Sequence, residues 1–262
     1  MTQQEILYGY NSIAITVALF ILILVFNEIG YQIGRYVQGR DDKEVKTLTG
    51  SIQASILGLL ALLLGFTFSM SMQRYDHRTQ ALIDEANAIG TTVLRVQLLP
   101  QNHQQEVADK LRQYIDLRIA IGEVDLTRTS ERVQYNKQIA QLQPELWSLA
   151  VMATNEDPRP VTTGAFVTAL NELIDRQGKR NALLQMHVPE VVLLLLFMVF
   201  VASGGILGYS SGLSGRRVVA PAALVSLVIA MIVFIIIDLD RPKRGLIQVD
   251  QGIMLELRQD RH

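Results

Sequence analysis

The chain has 262 residues, of which 49% are hydrophobic, and a net charge of −1 at neutral pH. It is too apolar for a typical soluble domain, and its charge balance gives no basic surface that would indicate a nucleic-acid partner. Cysteine is absent, which excludes disulfides, thiolate metal sites and cysteine nucleophiles. The apolar residues gather in four blocks, which predict an all-α integral membrane protein with four transmembrane helices.

The first apolar block runs from Ile13 to Phe26 and reaches spanning length when it is extended toward Ile6 and Ile33. The residues before it contain no Lys or Arg, and no small-residue cleavage signal follows it. We therefore expect a retained helix and no signal peptide. Charged residues from Arg35 onward mark the exit of this helix into water.

The second block opens a stretch from Ser51 to Leu99 that predicts one long helix. Residues 51–72 carry no charge and can cross about 30 Å of hydrocarbon, whereas residues 73–99 are charged and amphipathic. No proline precedes Pro100, so the chain chemistry requires no break where membrane gives way to water. We expect this helix to leave the bilayer without interruption.

The sequence that follows predicts a water-soluble helical module. After Pro100 we expect a helix over residues 101–122, and then a helix from a Ser130 cap to about residue 154 that Pro144 kinks or splits. Trp147 is expected in the module core. The apolar side chains at helical spacing that predict the buried faces of these two helices are Val107, Leu111, Ile115, Ile119, Ile139, Leu142, Leu146 and Leu149.

The sequence 155–160 predicts a loop, after which Thr162 or Thr163 is expected to cap the last soluble helix. Its buried face would contain Phe166, Leu170, Leu173 and Ile174. The predicted organisation is transmembrane helices one and two in 1–72, the module in 73–187, helices three and four in 188–237, and a C-terminal tail in 238–262. This order places both termini and the module on one side, and the charges near the membrane do not decide which side.

The long helix presents a polar stripe beyond the membrane. At 100° per residue this stripe lies apart from an apolar face, which is expected to pack against the other soluble helices and contains Tyr75, Leu82, Ala86, Ile89 and Val93. The polar stripe consists of Asp76, Gln80, Asp84, Asn87 and Thr91. Extended back into the bilayer it gives a membrane stripe of mostly small and hydroxylated residues: Ser51, Ser55, Gly58, Leu62, Gly65, Phe66 and Ser69.

Two interpretations of the membrane stripe remain open. The small residues Gly58, Ala61, Gly65 and Ser69 could let a neighbouring helix approach closely, because small residues at such spacing are frequent where membrane helices pack. Alternatively, copies of this helix could surround a pore. Leu62 and Phe66 would then form an apolar constriction that gates by dewetting, and the polar stripe would line a wet vestibule.

The segments GLLALLLGFTFSM (58–70), RYDHR (74–78), EANAIGT (85–91) and DLDRPKRGLIQV (238–249) resemble the bestrophin-like family of bacterial membrane proteins. This family is grouped with bestrophins, which are pentameric ion channels with four spans, cytosolic termini and a cytosolic helical module. The resemblance implies that the second span lines the pore, with Leu62 and Phe66 at the neck. It also implies a homopentamer in the bacterial inner membrane, with the module and both termini cytoplasmic.

Two departures from the bestrophin pattern stand out. Gly58 lies one turn before Leu62, so the neck is shorter than in bestrophins. The region after the fourth span has only Asp238, Asp240 and scattered later acids, and it does not resemble the acidic calcium clasp of animal bestrophins. We infer no calcium site.

Other candidate sites have structural explanations. The four histidines are scattered without metal-ligand spacing, so no metal site and no cofactor are expected. Glu190 is expected in the first turn of the third span, where the helix dipole favours an acid. Asp238, Asp240 and Arg241 are expected to form an ion pair at the membrane edge; the alternative is a role at an ion entry or in coupling the tail to the module. If the module is cytosolic, the basic residues that could anchor it to anionic headgroups are Lys179, Arg180, Lys243 and Arg244.

The sequence contains no phosphate loop, nucleophile elbow or paired-carboxylate site, so an enzyme is not expected. Two functional hypotheses follow. The first is an oligomeric ion channel lined by the second span, whose permeant ion the sequence does not identify. The second is a non-conducting scaffold or sensor whose module binds a partner through an exposed apolar patch.

Overall fold

The computed structural model describes residues 10–38, 43–124, 128–241 and 245–259, and within them every regular element is helical. This confirms the all-α prediction. The predictions for residues 1–9, Lys243 and Arg244 lie outside the described residues. The elements are α1 (Ser12–Val37), α2 (Lys43–Arg95), a short 3-10 helix (Val96–Leu98), α3 (Gln101–Glu123), α4 (Thr129–Glu156), α5 (Thr163–Gln185), α6 (Glu190–Leu213), α7 (Val219–Asp240) and α8 (Gly252–Gln259).

Four helical stretches are long and apolar enough to cross a membrane, which confirms the predicted number of spans. They belong to α1, α2, α6 and α7. The long second helix is also confirmed, since α2 contains both the uncharged sequence and the amphipathic sequence after it. It begins before Ser51, and its last turn before Pro100 tightens into the 3-10 helix.

The chain forms two compact units. The first contains the described residues up to 73 together with 187–241, and the second contains 74–186 and the C-terminal residues from 245 onward. Residues 43–73 of α2 therefore belong to the first unit, and residues 74–95 belong to the second.

In the first unit, glycines allow α1 and α6 to pack backbone against backbone. A Cβ added to Gly208 would overlap the carbonyl oxygen of Asn27, and one added to Gly204 would lie 2.9 Å from the carbonyl oxygen of Ile23. The Asn27 side chain donates to the carbonyl of Gly204 at 3.1 Å. Small residues therefore permit close helix packing here, as is common in membranes. The apolar core of this unit includes Leu19, Ile23, Leu60, Leu64, Leu193, Leu196, Phe200, Val233, Ile236 and Ile237.

In the second unit, the predicted buried faces are confirmed. The side chains of Val107, Leu111, Ile115, Ile119, Ile139, Leu142, Leu146, Leu149, Phe166, Leu170 and Leu173 are all buried, and Ile174 is half-buried. Met254 of α8 is buried in the same core. The C-terminal residues that the sequence predicts as a tail thus include a helix that belongs to the second unit.

The local predictions for α4 and α5 have mixed outcomes. Pro144 does not split α4, and a kink at Pro144 stays a prediction. Both Pro144 and Ala140 are exposed, so water can reach the carbonyl that proline leaves without a donor. α4 begins at Thr129, which puts Ser130 inside the helix. Trp147 is 40% exposed and does not lie in the core. Thr162 is the N-cap residue of α5, as predicted, but it makes no side-chain capping bond, and its hydroxyl donates to the Asp157 carboxylate.

Candidate functional site

The membrane part of α2 packs on its own subunit through one narrow side. That packed side consists of Leu60, Leu64, Thr67 and Ser71, all of which are buried. At about 100° per residue, the membrane stripe lies roughly 180° away from it. Every residue of the stripe is exposed: Ser51, Ser55, Gly58, Leu62, Gly65, Phe66 and Ser69. The stripe therefore points directly away from the rest of the first unit.

No described residue of this chain covers the membrane stripe at its glycines. A Cβ added to Gly58 or to Gly65 would meet nothing within 4 Å. Leu62 and Phe66 are 54% and 62% exposed. Close packing within the subunit uses the glycines of α1 and α6, so the small residues of α2 do not serve that purpose inside one chain.

The two flanks of α2, between the packed side and the stripe, are apolar and exposed. One flank presents Leu57, Ala61 and Phe68, and the other presents Ile52, Leu59 and Met70. The membrane part of α2 thus has a packed side, two apolar flanks and a front of small and hydroxylated residues that contains two bulky side chains.

The polar stripe of the second unit is likewise turned away from the core. Asp76, Gln80, Asn87 and Thr91 are exposed. Asp84 is more enclosed, because its carboxylate accepts from Gln80 at 2.8 Å and from Arg176 at 2.9 Å. On the opposite face Leu82, Ala86 and Ile89 are buried as predicted, and Tyr75 is half-buried. Val93 is 41% exposed, so its predicted place in the packed face is wrong.

Arg78 lies on the packed side of α2 and caps a neighbouring helix. Its side chain is buried, and its Nε and Nη2 donate to the carbonyl oxygens of Leu183 and Met186 at 3.3 and 2.5 Å. These carbonyls lie at the C-terminal end of α5, where the helix dipole favours a cation. The guanidinium therefore satisfies helix-end carbonyls and does not face the polar stripe.

A buried charge cluster in the second unit was not predicted from the sequence. Both carboxylate oxygens of Glu85 accept from Arg118, at 2.5 and 2.9 Å, and one also accepts from Arg180 at 2.7 Å. All three side chains are almost fully buried. Burial opposes the charged form of Arg118, but the charge and hydrogen bonds of Glu85 raise its pKa overall. The predicted role of Arg180 as a headgroup anchor is wrong, because Glu85 holds it in the interior.

The same cluster holds the C-terminal residues of the second unit. Arg180 donates through Nη2 to the side-chain oxygen of Gln251 at 2.9 Å. Gln251 is seated against Gly122, where an added Cβ would come within 3.1 Å of its Oε1 atom. The available sequence signal was that Glu85 lies within about one helical turn of Leu82 and Ile89, two residues of the predicted apolar face.

The residues at the end of α7 form a buried polar cluster in the first unit. Asp238, Asp240 and Arg241 are each at most 5% exposed. The Asp240 carboxylate accepts from the backbone N–H of Val188 at 2.8 Å. Arg241 donates to the carbonyl of Tyr10 and to the Ser12 hydroxyl. These bonds tie the start of α1 and the segment before α6 to the end of α7, and the ion pair itself stays a prediction.

Two other features bear on binding or catalysis. Within the described residues, no group of three His, Asp or Glu side chains could hold a metal ion. An open cleft of about 370 Å³ in the second unit is lined by Leu98, Leu99, Pro100, Glu156, Asp157 and Arg159. Hydrogen bonds from Arg159 and Thr162 hold the pKa of Asp157 well below its usual range, so its charge is already satisfied within the loop.

Four apolar helices joined to a helical unit define an all-α integral membrane protein. Within that class the chain belongs to the Bestrophin-like family, because the model of the Bestrophin-like domain matches residues 20–253. The comparison with curated proteins gave no match.

Several solved structures have the same fold. A point variant of a bacterial bestrophin homologue from Klebsiella pneumoniae is 16% identical, with a TM-score of 0.64 over 93% of this chain and 96% of its own. A second variant of that homologue is 18% identical, with a TM-score of 0.61 over 94% and 96% of the two chains. A variant described as a membrane protein is 17% identical, with a TM-score of 0.63 over 94% and 96%. At these identities the likeness establishes a bestrophin fold.

Proposed function

We propose that the protein is a bestrophin-type ion channel in which copies of α2 surround the conduction pathway. The observation that carries this proposal is the orientation of the membrane stripe, which faces directly away from its own subunit and is left uncovered by it. Anchoring the chain in a membrane does not require that hydroxyl and glycine residues lie on one exposed line opposite the packed side of the helix, whereas lining a pore does.

The four sides of α2 are those that a ring of identical helices requires. In a closed ring each helix packs backward on its own subunit, contacts one neighbour on each flank and turns its front to the axis. The apolar flanks supply the neighbour contacts, and the stripe supplies the front. Leu62 and Phe66 then form an apolar constriction, and the polar stripe lines the vestibule beyond it. By resemblance the ring is a pentamer in the bacterial inner membrane, with the second unit and the termini in the cytoplasm.

Planar-bilayer recording of the purified protein tests this proposal. We expect Leu62→Ala and Phe66→Ala to raise conductance or open probability, because a wider and less apolar ring no longer dewets as readily. Leu224→Ala is the matched control, since it removes a leucine of similar exposure from α7, outside the proposed ring of α2 helices. An intact oligomer with no conductance to any common ion would contradict the proposal.

The absence of native cysteine allows a second test by water accessibility. Single cysteines at Ser51, Ser55 and Ser69 of the membrane stripe, and at Gln80 and Asp84 of the polar stripe, are expected to react with a water-soluble thiol reagent in the reconstituted oligomer. A cysteine at Thr67, on the packed side, is the protected control. Uniform protection of the membrane positions would contradict a water-filled pathway.

The scaffold or sensor hypothesis retains one specific observation. α4 presents an exposed apolar strip, in which Val133, Trp147 and Val151 are 46%, 40% and 47% exposed. Such a strip is typical of a surface that contacts another protein. This alternative predicts a closed seam at the membrane stripe, so the cysteine experiment distinguishes it from the channel.

A further inference from the structure

The charges of α2 are sorted between its sides. Among its described side chains, those of residues 47–95, the acidic, arginine and histidine positions are Arg74, Asp76, His77, Arg78, Asp84, Glu85 and Arg95. Their placement decides the electrostatic potential that an ion meets in the pathway proposed above. The sequence alone leaves this potential undetermined, because acids and arginines alternate over the turns that follow the membrane.

The arginines nearest the membrane do not reach the front of the helix. Arg78 is 3% exposed and donates to two carbonyls at the end of α5. Arg74 is half-buried and precedes Arg78 by about one helical turn, on the same side. Further along, Arg95 donates to the carbonyl of Ala165 at 2.9 Å. These positive charges therefore do not cancel the charge of acids on the opposite side.

The charge of Asp84 is compensated inside the second unit. Its carboxylate lies 2.9 Å from Arg176 and 3.6 Å from Lys179, and Arg176 also contacts Glu172 at 3.0 Å. The carboxylate of Asp84 is therefore faced by two cations. Asp84 thus adds little to the potential along the stripe.

Of the two acids on the polar stripe, Asp76 is the one whose charge is not compensated by a nearby described cation. It is exposed, lies at the membrane end of the polar stripe, and forms no ion pair within the described part of the chain. It follows the uncharged sequence 51–72 closely, so it is the first front-facing acid beyond the apolar constriction. In a ring of identical subunits, symmetry repeats this charge around one level of the axis.

We infer that Asp76 makes the pathway select small cations over anions. This inference rests on the channel function proposed above and adds the class of ion to it. A ring of carboxylates raises the local concentration of cations and lowers that of anions. A ring potential of about one kT changes the ratio of cation to anion about sevenfold.

Reversal potentials in an asymmetric KCl gradient test the inference. We expect the reversal potential of the wild-type current to lie between zero and the K⁺ equilibrium potential. Asp76→Asn is expected to lower the K⁺ to Cl⁻ permeability ratio about sevenfold or more. Asn87 is exposed on the same stripe three turns further along, so Asn87→Asp in the Asp76→Asn background is expected to restore cation preference. Glu106→Gln, which removes an exposed acid from α3, is the control and should leave the ratio unchanged.

The outcomes separate this inference from the channel proposal. Conductance with an anion preference in the wild type, or a ratio that Asp76→Asn does not change, would overturn the role of Asp76 and leave the channel intact. An intact oligomer without conductance would overturn both. Size-exclusion profiles of all variants identify loss of assembly, and the gain of cation preference in the Asn87→Asp background cannot result from misfolding.

Discussion

Replacing Glu85 by Gln tests whether the buried charge cluster holds the second unit together. The change preserves the size of the side chain and removes the one carboxylate that Arg118 and Arg180 share. Two guanidinium groups would then remain in the interior, 2% and 4% exposed, with no opposite charge within reach in the cluster. Neither can be solvated without opening the helices around it.

The expected loss of unfolding free energy follows from the geometry. Breaking a buried ion pair by removing one partner typically costs about 3–5 kcal/mol, because an uncompensated charge stays buried. Here one carboxylate accepts three hydrogen bonds from two arginines, so the loss should lie at the upper end of that range. Adding Arg180→Gln to Glu85→Gln returns the cluster to its original net charge, and we expect it to recover part of the loss.

Denaturant unfolding followed by tryptophan fluorescence measures this effect. Trp147 is the only tryptophan and lies on α4 of the second unit, so its emission reports on that unit. Asp109→Asn is the control, because it breaks an exposed pair with Arg112 and should change stability little. If Glu85→Gln costs no more than this control, or if the double variant is less stable than the single one, the reasoning is refuted.

Two further predictions concern packing in each unit. Gly208→Ala should lower the thermal stability of the detergent-solubilised protein, because the new Cβ would overlap the Asn27 carbonyl. Gly178→Ala is the control and should not lower it, since nothing lies within 4 Å of a Cβ at that position. Equal melting temperatures of the two variants, measured by size-exclusion chromatography after heating, would contradict close α1–α6 packing. Gln251→Lys should speed hydrogen exchange of the C-terminal residues 245–259, because it places a third cation beside Arg180. Gln251→Glu should slow their exchange, because it places an acid there. Identical exchange in both variants would refute the contact between Gln251 and Arg180.

The sequence predicted the helices well because their signals are local. Apolar residues at 3.6-residue spacing must face a core wherever the partner helix comes from, so Val107, Leu111, Phe166 and Leu170 were identified as buried. The long α2 was equally predictable, since no proline interrupts it and both of its halves favour helix. Helix ends were less predictable: the hydroxyl of Thr162 bonds to Asp157 across the loop, which no spacing rule indicates.

The pattern of small residues shows what local signals leave undecided. Gly58 and Gly65 of α2 have the spacing of a helix contact, yet no described residue of the chain approaches them, and the contact is made by Gly204 and Gly208 of α6. A glycine permits close approach but does not supply the helix that approaches. Only the tertiary arrangement selects which permissive face is used.

The sequence by itself determined the class of the protein, the number of spans and the stripe along α2, because each depends on the order of residues in one helix. Only the tertiary structure decided which charged side chains of that helix are buried and paired and which stay exposed. Arg78 and Arg180 look like surface cations in sequence but are buried by carbonyls and by Glu85, which come from distant parts of the chain. Electrostatic compensation is a property of three-dimensional neighbours, and it leaves Asp76 as the charge to test.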